Sequence, residues 1–356
     1  NKLANVSNNS SAIFDFSNIR PIKINFNNLK KTFITAEIGI NHNGDEKRAL
    51  KMIQIAAKSG VDAVKLQTFM TDDYISVDSK ERYERTKKFE LNRNFFNEIF
   101  SFAKKNKIVL YTTPFSIDDL EFIKNKTPII KIASGELTYH ELIYKSALTR
   151  KPIILSTGLA KINEIEKAIK IIYKANPKAR KDGKLLLNHC IAAYPTPLNE
   201  SNLNSIKFLN DKFRLPIGFS DHTIENETSI YAVLAGAVAI EKHFTLNSKD
   251  KYTRDHAISF EPIKFKLLVK KIREIEIVLG NKNKNIQKSE KENYKYLRRS
   301  AAAITDLSAK TRIKKRHITG IRPLAGIPIE EINRIIGKKL RKKLKKGQII
   351  KKSNLE

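Results

Sequence analysis

The stretch PIGFSDHTIENETSIYAVLAGAVAIEKHFTL, residues 216–246, decides the fold. Two short apolar runs, Pro216–Phe219 and Val238–Ile240, each end in a polar cluster. Ser220, Asp221, His222 and Thr223 follow the first; Glu241, Lys242 and His243 follow the second. Between them Glu227–Ala237 is Ala-rich and of helical length. Strand, helix, strand is the βαβ unit, whose strands must run parallel. Each histidine then sits just past the carboxyl end of a strand, on the same side of the sheet. Neutral imidazoles on adjacent parallel strands are a natural ligand pair for Mn, Fe, Zn or Co. The competing reading is two histidines satisfied at strand ends. The carboxylate beside each, Asp221 and Glu241, weighs toward a metal or catalytic role.

The same rhythm runs outward from this unit in both directions. Short β-branched runs occur at Phe33–Ile38, Ala63–Gln67, Ile108–Thr112, Ile129–Ala133, Pro152–Leu155 and Leu185–His189, before the two already named. Amphipathic helical patterns lie between them, at Glu46–Lys58, Phe95–Lys105, Ile117–Lys124, Tyr139–Thr149, Ile162–Lys174 and Leu203–Asn210. A last helix, Ile263–Leu279, closes the series. Strand–helix repeats of this number predict a (β/α)₈ TIM barrel, with its site at the C-terminal face. A doubly wound open sheet is the runner-up, but no glycine-rich dinucleotide fingerprint follows the first strand. Residues 1–30, rich in Asn and Ser, read as an irregular leader, and the barrel as 31–281. GNKNKNIQKSEKEN opens a polar linker, 282–297. From 298 to 356 short apolar alternations broken by Gly and Pro predict a small β-rich module.

Hydrophobic residues at 41% and charged residues at 29% of 356 suit a globular chain with a real core. The single cysteine, Cys190, excludes an internal disulfide framework and fits a cytoplasmic protein. No apolar run reaches the roughly 18 residues a bilayer-spanning helix needs. The N-terminal stretch lacks the unbroken apolar core of a signal peptide. The net charge of +31 raises nucleic acid or an anionic membrane as partners. The lysines are spread along helix faces, however, and only 338–352 is a true basic run. Neither partner is expected; anionic small molecules are.

The carboxyl ends of the expected strands carry Glu37, Asn41 and His42; Lys65 and Gln67; Thr112 and Thr113; Lys131, Ser134 and Glu136. Ser156 and Thr157, His189 and Tyr194, and the two clusters at 220–223 and 241–243 complete the set. A serine there can simply cap the next helix, and a lysine can snorkel. Lys65 and Lys131 resist that reading, because each lies inside an apolar run and lysine is rarely buried unpaired. Two inward lysines among hydroxyls and backbone N–H groups suit phosphate and carboxylate oxygens. The barrel mouth is expected to bind an anionic, phosphorylated small molecule beside a divalent cation.

FITAEIGINHNGD (33–45), VDAVKLQTF (61–69), KIASGE (131–136), ILSTG (154–158), NHCIAAYPTP (188–197), GFSDHT (218–223) and IEKHFTL (240–246) together resemble the sialic acid synthase family. RRSAAAITDL (298–307), IRPLAGI (321–327) and IGKKL (336–340) are similar to that family's antifreeze-like (SAF) domain. The resemblance implies a nonulosonate synthase condensing phosphoenolpyruvate with an N-acylated hexosamine such as N-acetylmannosamine. It implies a domain-swapped homodimer in which each SAF domain caps the partner's barrel. By motif match, His222 and His243 hold the metal, Mn²⁺ first, with Mg²⁺ or Co²⁺ as alternatives. Lys65, Lys131, Ser134, Ser156 and Ser220 fall at phosphoenolpyruvate-holding positions, with Thr112 added. Glu37, Glu136, Tyr194 and Asp255 fall near the sugar or the reacting centre, where Glu37 or Glu136 manages the proton of the attacking water. Arg322 matches the arginine that reaches the acylamino group from the partner.

Three positions depart from the family's pattern. Thr253–Arg254 stands where Gly-Pro is usual before the Asp255–His256 pair, Ala192 where some members have a polar residue, and Leu324 where Gly is expected. KIASGE resembles the neuraminate and legionaminate branches more than the pseudaminate branch. Two other classes compete with the synthase. A different phosphoenolpyruvate or sugar-phosphate barrel enzyme, such as a 3-deoxy-ulosonate phosphate synthase or a Schiff-base aldolase, would in the aldolase case reveal itself by borohydride trapping on a lysine. A basic scaffold that has lost catalysis would show salt-sensitive nucleic-acid affinity and no turnover.

Overall fold

The computed structural model describes residues 24–281 and 283–356. Parallel strands β1 (Phe33–Gly39), β2 (Ala63–Thr68), β3 (Val109–Pro114), β4 (Ile130–Ile132), β5 (Ile153–Ser156), β6 (Leu185–Cys190), β7 (Ile217–Asp221) and β8 (Ala239–His243) form a closed barrel in sequence order. Closure is the β8–β1 pairing, which runs from Phe33 opposite Ala239 to Glu37 opposite His243. The expected (β/α)₈ barrel is therefore present, each strand within a residue or two of its expected place.

Helices return the chain outside the barrel: α1 (Glu46–Lys58), α2 (Lys80–Lys87), α3 (Arg93–Lys105), α4 (Ile117–Ile123), α5 (His140–Leu148), α6 (Ile162–Ala175), α7 (Asn204–Phe213), α8 (Thr228–Leu234), α9 (Asp255–Ile258) and α10 (Pro262–Leu279). Two of these, α2 and α9, were not expected. KERYERTK buries nothing, so α2 has no apolar period to read, and α9 is a single turn.

Strand alternation divides the interior. Outward residues such as Ile34, Val64, Leu110, Ile132, Leu155, Leu187, Phe219 and Ile240 join the helices in the main core. Inward residues at the strands' amino ends, including Phe33, Ala63, Val109, Ile154 and Leu186, form a separate apolar plug. Ile24 and Phe26 complete that plug, and the Phe26 N–H donates to Gly183 O at 2.9 Å. The expected irregular leader thus needs correcting at its end: Phe26–Asn28 is an ordered 3₁₀ turn that helps fill the barrel. Residues 1–23 of that leader lie outside the described residues. Gly218 is required on β7, since a Cβ there would come within 2.2 Å of Asn188 Oδ1.

The chain divides into compact units at Gly280/Asn281. In the second unit, the stretch expected as linker contains α11 (Lys291–Leu297). Strands β9 (Ser300–Ala303) and β10 (Ile318–Ile321) pair antiparallel. Further contact comes from single bridges, such as Ala302–Ile349 and Leu307–Leu344. Ala301, Ala303, Leu307, Ile313, Leu340, Leu344 and Ile350 make its small core. Among the described residues no helix is long and apolar enough to cross a membrane.

Candidate active site

The carboxyl ends of β1–β8 enclose a cavity of about 300 Å³. It is lined by Glu37, Lys65, Lys131, Ser134, Glu136, Ser156, Tyr194, Ser220, His222, His243 and Asp255, which are the expected site residues apart from Thr112 and Arg322. Register explains the convergence. Glu37 on β1 is paired with both Lys65 on β2 and His243 on β8, while Ser220 on β7 is paired with Glu241 on β8. Inward positions therefore meet across neighbouring strands.

An ion network lies at the floor. Lys65 Nζ is 2.7 Å from Glu37 Oε2 and 3.8 Å from Glu241 Oε1; Lys131 Nζ is 2.6 Å from Glu241 Oε2. Ser220 Oγ donates to Glu241 Oε1 at 2.9 Å, and Lys65 also reaches Thr113 Oγ1 at 3.4 Å. All of these groups are buried. Burial alone would raise the Glu241 carboxyl, but Lys131 and Lys65 outweigh it and hold Glu241 well below the usual carboxylate range. Burial pushes Glu37 up to about 7, despite the opposing pull of Lys65. Burial also lowers Lys131, whereas the two carboxylates more than offset burial at Lys65 and raise it. The outcome is one firmly ionised glutamate between two ammonium groups, and a second glutamate poised near neutrality. Glu136 is a third: burial raises it to about 7, and its Oε2 has no hydrogen-bond partner.

The two histidines stand above this floor with ring centroids 5.5 Å apart. Burial lowers His222 to about 4 and His243 well below its ordinary value, so both imidazoles are neutral. His222 Nδ1 lies 2.7 Å from the Ile191 carbonyl oxygen, which fixes its proton there and leaves Nε2 a lone pair, with Ser220 Oγ 3.4 Å from it. Tyr194 stacks on that ring at 4.3 Å. His243 Nδ1 is buried without a hydrogen-bond partner, and Asp255 Oδ2 is 3.7 Å away. Burial raises Asp255 to about 6. Two neutral imidazoles with an orphaned ring nitrogen fit a divalent ion. No group of three or more His, Cys, Asp or Glu side chains assembles as a ligand cage among the described residues, so the remaining positions would fall to water or substrate oxygens.

The two exceptions have distinct causes. Thr112 faces out of the barrel, its Oγ1 bonded to Thr68 Oγ1 at 2.7 Å and to Leu66 O at 3.1 Å. Its neighbour Thr113 lines the cavity instead, because strand side chains alternate. Arg322 belongs to the second unit, and the lining comes wholly from the first.

Asp221, noted beside His222, also turns outward. It accepts from Ser229 Oγ at 2.6 Å and pairs with buried Lys242 at 3.2 Å. Asn41 works structurally, donating to Phe244 O and Ser259 Oγ and accepting from Thr253. Glu241, noted among the polar strand ends but given no role of its own from the sequence, is the centre of the ion network. Alternation along AIEKH puts it on the same face as His243, and that signal was legible.

The comparisons with known proteins agree with this architecture. Residues 52–284 match the NeuB family and residues 298–356 match the SAF domain. The chain is 37% identical to an N,N'-diacetyllegionaminic acid synthase of Campylobacter jejuni over 337 residues, covering 91% of this chain and 100% of that one. It is 32% identical to a pseudaminic acid synthase of Campylobacter jejuni, covering 93% and 98% respectively. A solved N-acetylneuraminic acid synthetase from Leptospira borgpetersenii, in complex with citrate, superposes with a TM-score of 0.69 at 34% identity. That match covers 74% of this chain and 90% of the solved one. With its barrel, its inward lysines and paired imidazoles, and its C-terminal SAF domain, the chain belongs to the NeuB family of synthases.

Proposed function

We propose that this enzyme condenses phosphoenolpyruvate with the open-chain form of an N-acylated hexosamine, releasing phosphate and forming a nine-carbon 2-keto acid. The observation that carries this reading is the convergence, in one cavity, of Lys65 and Lys131 with neutral His222 and His243 and the elevated Glu37 and Glu136. Such a cavity offers cations for phosphate and carboxylate, lone pairs for a metal, and carboxylates that can exchange a proton near neutral pH.

Lys65, Lys131, Ser134, Ser156 and Ser220 hold the phosphoryl and carboxylate groups. Their positions keep C3 of phosphoenolpyruvate facing the aldehyde carbon, and this pre-paid ordering supplies much of the rate. Tyr194 and Asp255 orient the sugar chain. The C2–C3 π-electrons form the new bond from C3 and leave positive charge at C2, while the aldehyde π-electrons pass to oxygen, which takes a proton from the protonated form of Glu37 or Glu136. Water then adds at C2, giving its proton to Glu37 or Glu136, and the resulting centre expels phosphate to leave the ketone. His222 and His243 would hold a divalent ion, Mn²⁺ first, which would supply Lewis-acid stabilisation of the negative charge that grows as the aldehyde reacts. The aldolase alternative is not favoured: although burial lowers Lys131, both amines are engaged by carboxylates, Lys131 by Glu241 at 2.6 Å and Lys65 by Glu37 at 2.7 Å. The domain-swapped homodimer, with Arg322 of each SAF domain serving the other protomer's sugar site, belongs to the same proposal.

The test is phosphate release from phosphoenolpyruvate with Mn²⁺, offering N-acetylmannosamine, 2,4-diacetamido-2,4,6-trideoxymannose and the corresponding altrose in turn. Release with one sugar, abolished by EDTA, is the expected result. Silence with all three from folded, metal-loaded protein would refute the reading, and turnover unaffected by chelation would refute the metal assignment.

A further inference from the structure

On the outward side of the barrel wall, behind the two imidazoles, lies an ion pair that the proposed chemistry does not use. Lys242 Nζ is 3.2 Å from Asp221 Oδ1, and both side chains are wholly buried. The two residues are register partners on β8 and β7, and each immediately precedes one of the histidines. Asp221 Oδ1 also accepts from the Thr223 N–H at 2.9 Å and from Thr223 Oγ1 at 2.8 Å, while Oδ2 accepts from Ser229 Oγ of α8 at 2.6 Å. Lys242 Nζ donates to the Thr223 carbonyl oxygen and stands 4.6 Å from the centre of the buried Phe260 ring. The Phe260 N–H in turn donates to His243 O at 2.8 Å.

Chain connectivity turns these contacts into constraints on the ligands. Asp221 and Thr223 flank His222, and the bond from the Thr223 N–H to the Asp221 carboxylate closes a tight turn around it. Lys242 grips both ends of that turn from the strand that carries His243. One ammonium group therefore ties His222 to His243, and Phe260 holds the backbone on the far side of His243. Stability alone gives little reason for such a pair, because desolvating two buried charges costs about what their attraction returns. Geometry gives a better one, since groups that orient metal ligands change metal affinity by about 10–100-fold when removed.

Resting on the metal reading, we propose that the Asp221–Lys242 pair is the positioning device of the metal site, setting the separation and facing of His222 and His243 from outside the barrel. Neither Asp221 nor Lys242 lines the reaction cavity, so both act through the histidines.

The experiment is titration of the full-length protein with Mn²⁺ in the absence of substrates, free Mn²⁺ being read by its electron paramagnetic resonance signal. Urea unfolding and calorimetric titration with phosphoenolpyruvate accompany it. Lys242→Met and the double variant Asp221→Asn/Lys242→Met are each expected to bind Mn²⁺ about 10–100-fold more weakly than wild type. Phosphoenolpyruvate binding should stay within about twofold, since its lysines lie on the inner face. The double variant strands no charge, so it should regain most of the urea resistance that Lys242→Met loses, and it decides the matter if the single variant does not fold. Mn²⁺ affinity that is unchanged, or that recovers with urea resistance in the double variant, would overturn the positioning role. Mn²⁺ and phosphoenolpyruvate affinities that fall together would do the same, as the mark of a general packing defect. Wild-type protein that holds no Mn²⁺, or His222→Ala protein that holds it as tightly as wild type, would refute the metal reading and the device with it.

Discussion

Glu241 accepts from Ser220 and stands within ion-pair reach of Lys131 and Lys65, all of them buried. A buried ion cluster of this kind contributes little net stability, yet losing one member leaves charges stranded. Glu241→Gln is therefore expected to lower the barrel's resistance to urea by about 3–5 kcal/mol, the usual cost of stranding a buried charge. An unchanged midpoint would mean that the two ammonium groups find other partners. Glu136 makes a separate prediction. Burial raises it to about 7, so its carboxylate form fills in as pH rises through that value. If it takes the proton from water, kcat should climb with pH across roughly 6–8 and level off above. Glu136→Gln should flatten that limb and cost about 10²–10⁴ in rate, typical of losing a general base. A limb that survives the substitution would move the proton to Glu37.

At the scale of the strand, one residue of register separates structure from chemistry. On β3, Thr113 points into the cavity and accepts from Lys65 of the neighbouring strand at 3.4 Å, whereas Thr112 ties β3 to β2 through Thr68 and Leu66. Thr113→Val should raise KM for phosphoenolpyruvate and leave stability nearly unchanged. Thr112→Val should do the reverse, costing about 1–3 kcal/mol for the Thr68 hydroxyl left short of a partner and sparing KM. Urea unfolding and initial-rate kinetics on the pair decide it, and identical behaviour of the two variants would contradict the alternation. The same alternation on β8 sends Lys242 outward to Asp221 and over the Phe260 ring, while Glu241 and His243 point inward. At the opposite end of the barrel Ile24 and Phe26 fill the space the strands leave, so the site rests on a solid apolar floor.

At the scale of the molecule, the barrel and the SAF unit each carry their own core. Arg322 lies in one and the reaction cavity in the other, so the proposed sharing of sites between protomers can be tested by complementation. His222→Ala and Arg322→Ala proteins are each expected to be nearly inactive. Mixed and reassembled, they should recover about a quarter of wild-type activity, because half the dimers are mixed and each of those carries one intact site. No recovery, from preparations shown to exchange subunits, would place Arg322 at its own chain's site or at none. The charge of +31 belongs to this scale as well. Among the described residues of the barrel the buried lysines, Lys65, Lys131 and Lys242, are each paired with a carboxylate.

The sequence by itself determined the barrel, because its apolar periods alternate between strand and helix and each strand ends in polar residues. It also determined which residues crowd the carboxyl face: Lys65, Lys131, His222 and His243 could be named from local pattern alone. It did not reveal α2, which has no apolar face, or the inner role of residues 24–28, whose few apolar side chains carry no period. Only the tertiary structure chose Thr113 over Thr112 and sent Asp221 away from the site, because the direction of a strand side chain depends on register with its neighbours. Only the structure made Glu241 the centre of the ion network with Lys65 and Lys131, and set Lys242 against Asp221. These residues lie far apart in the chain, and their chemistry exists only once barrel closure brings them together.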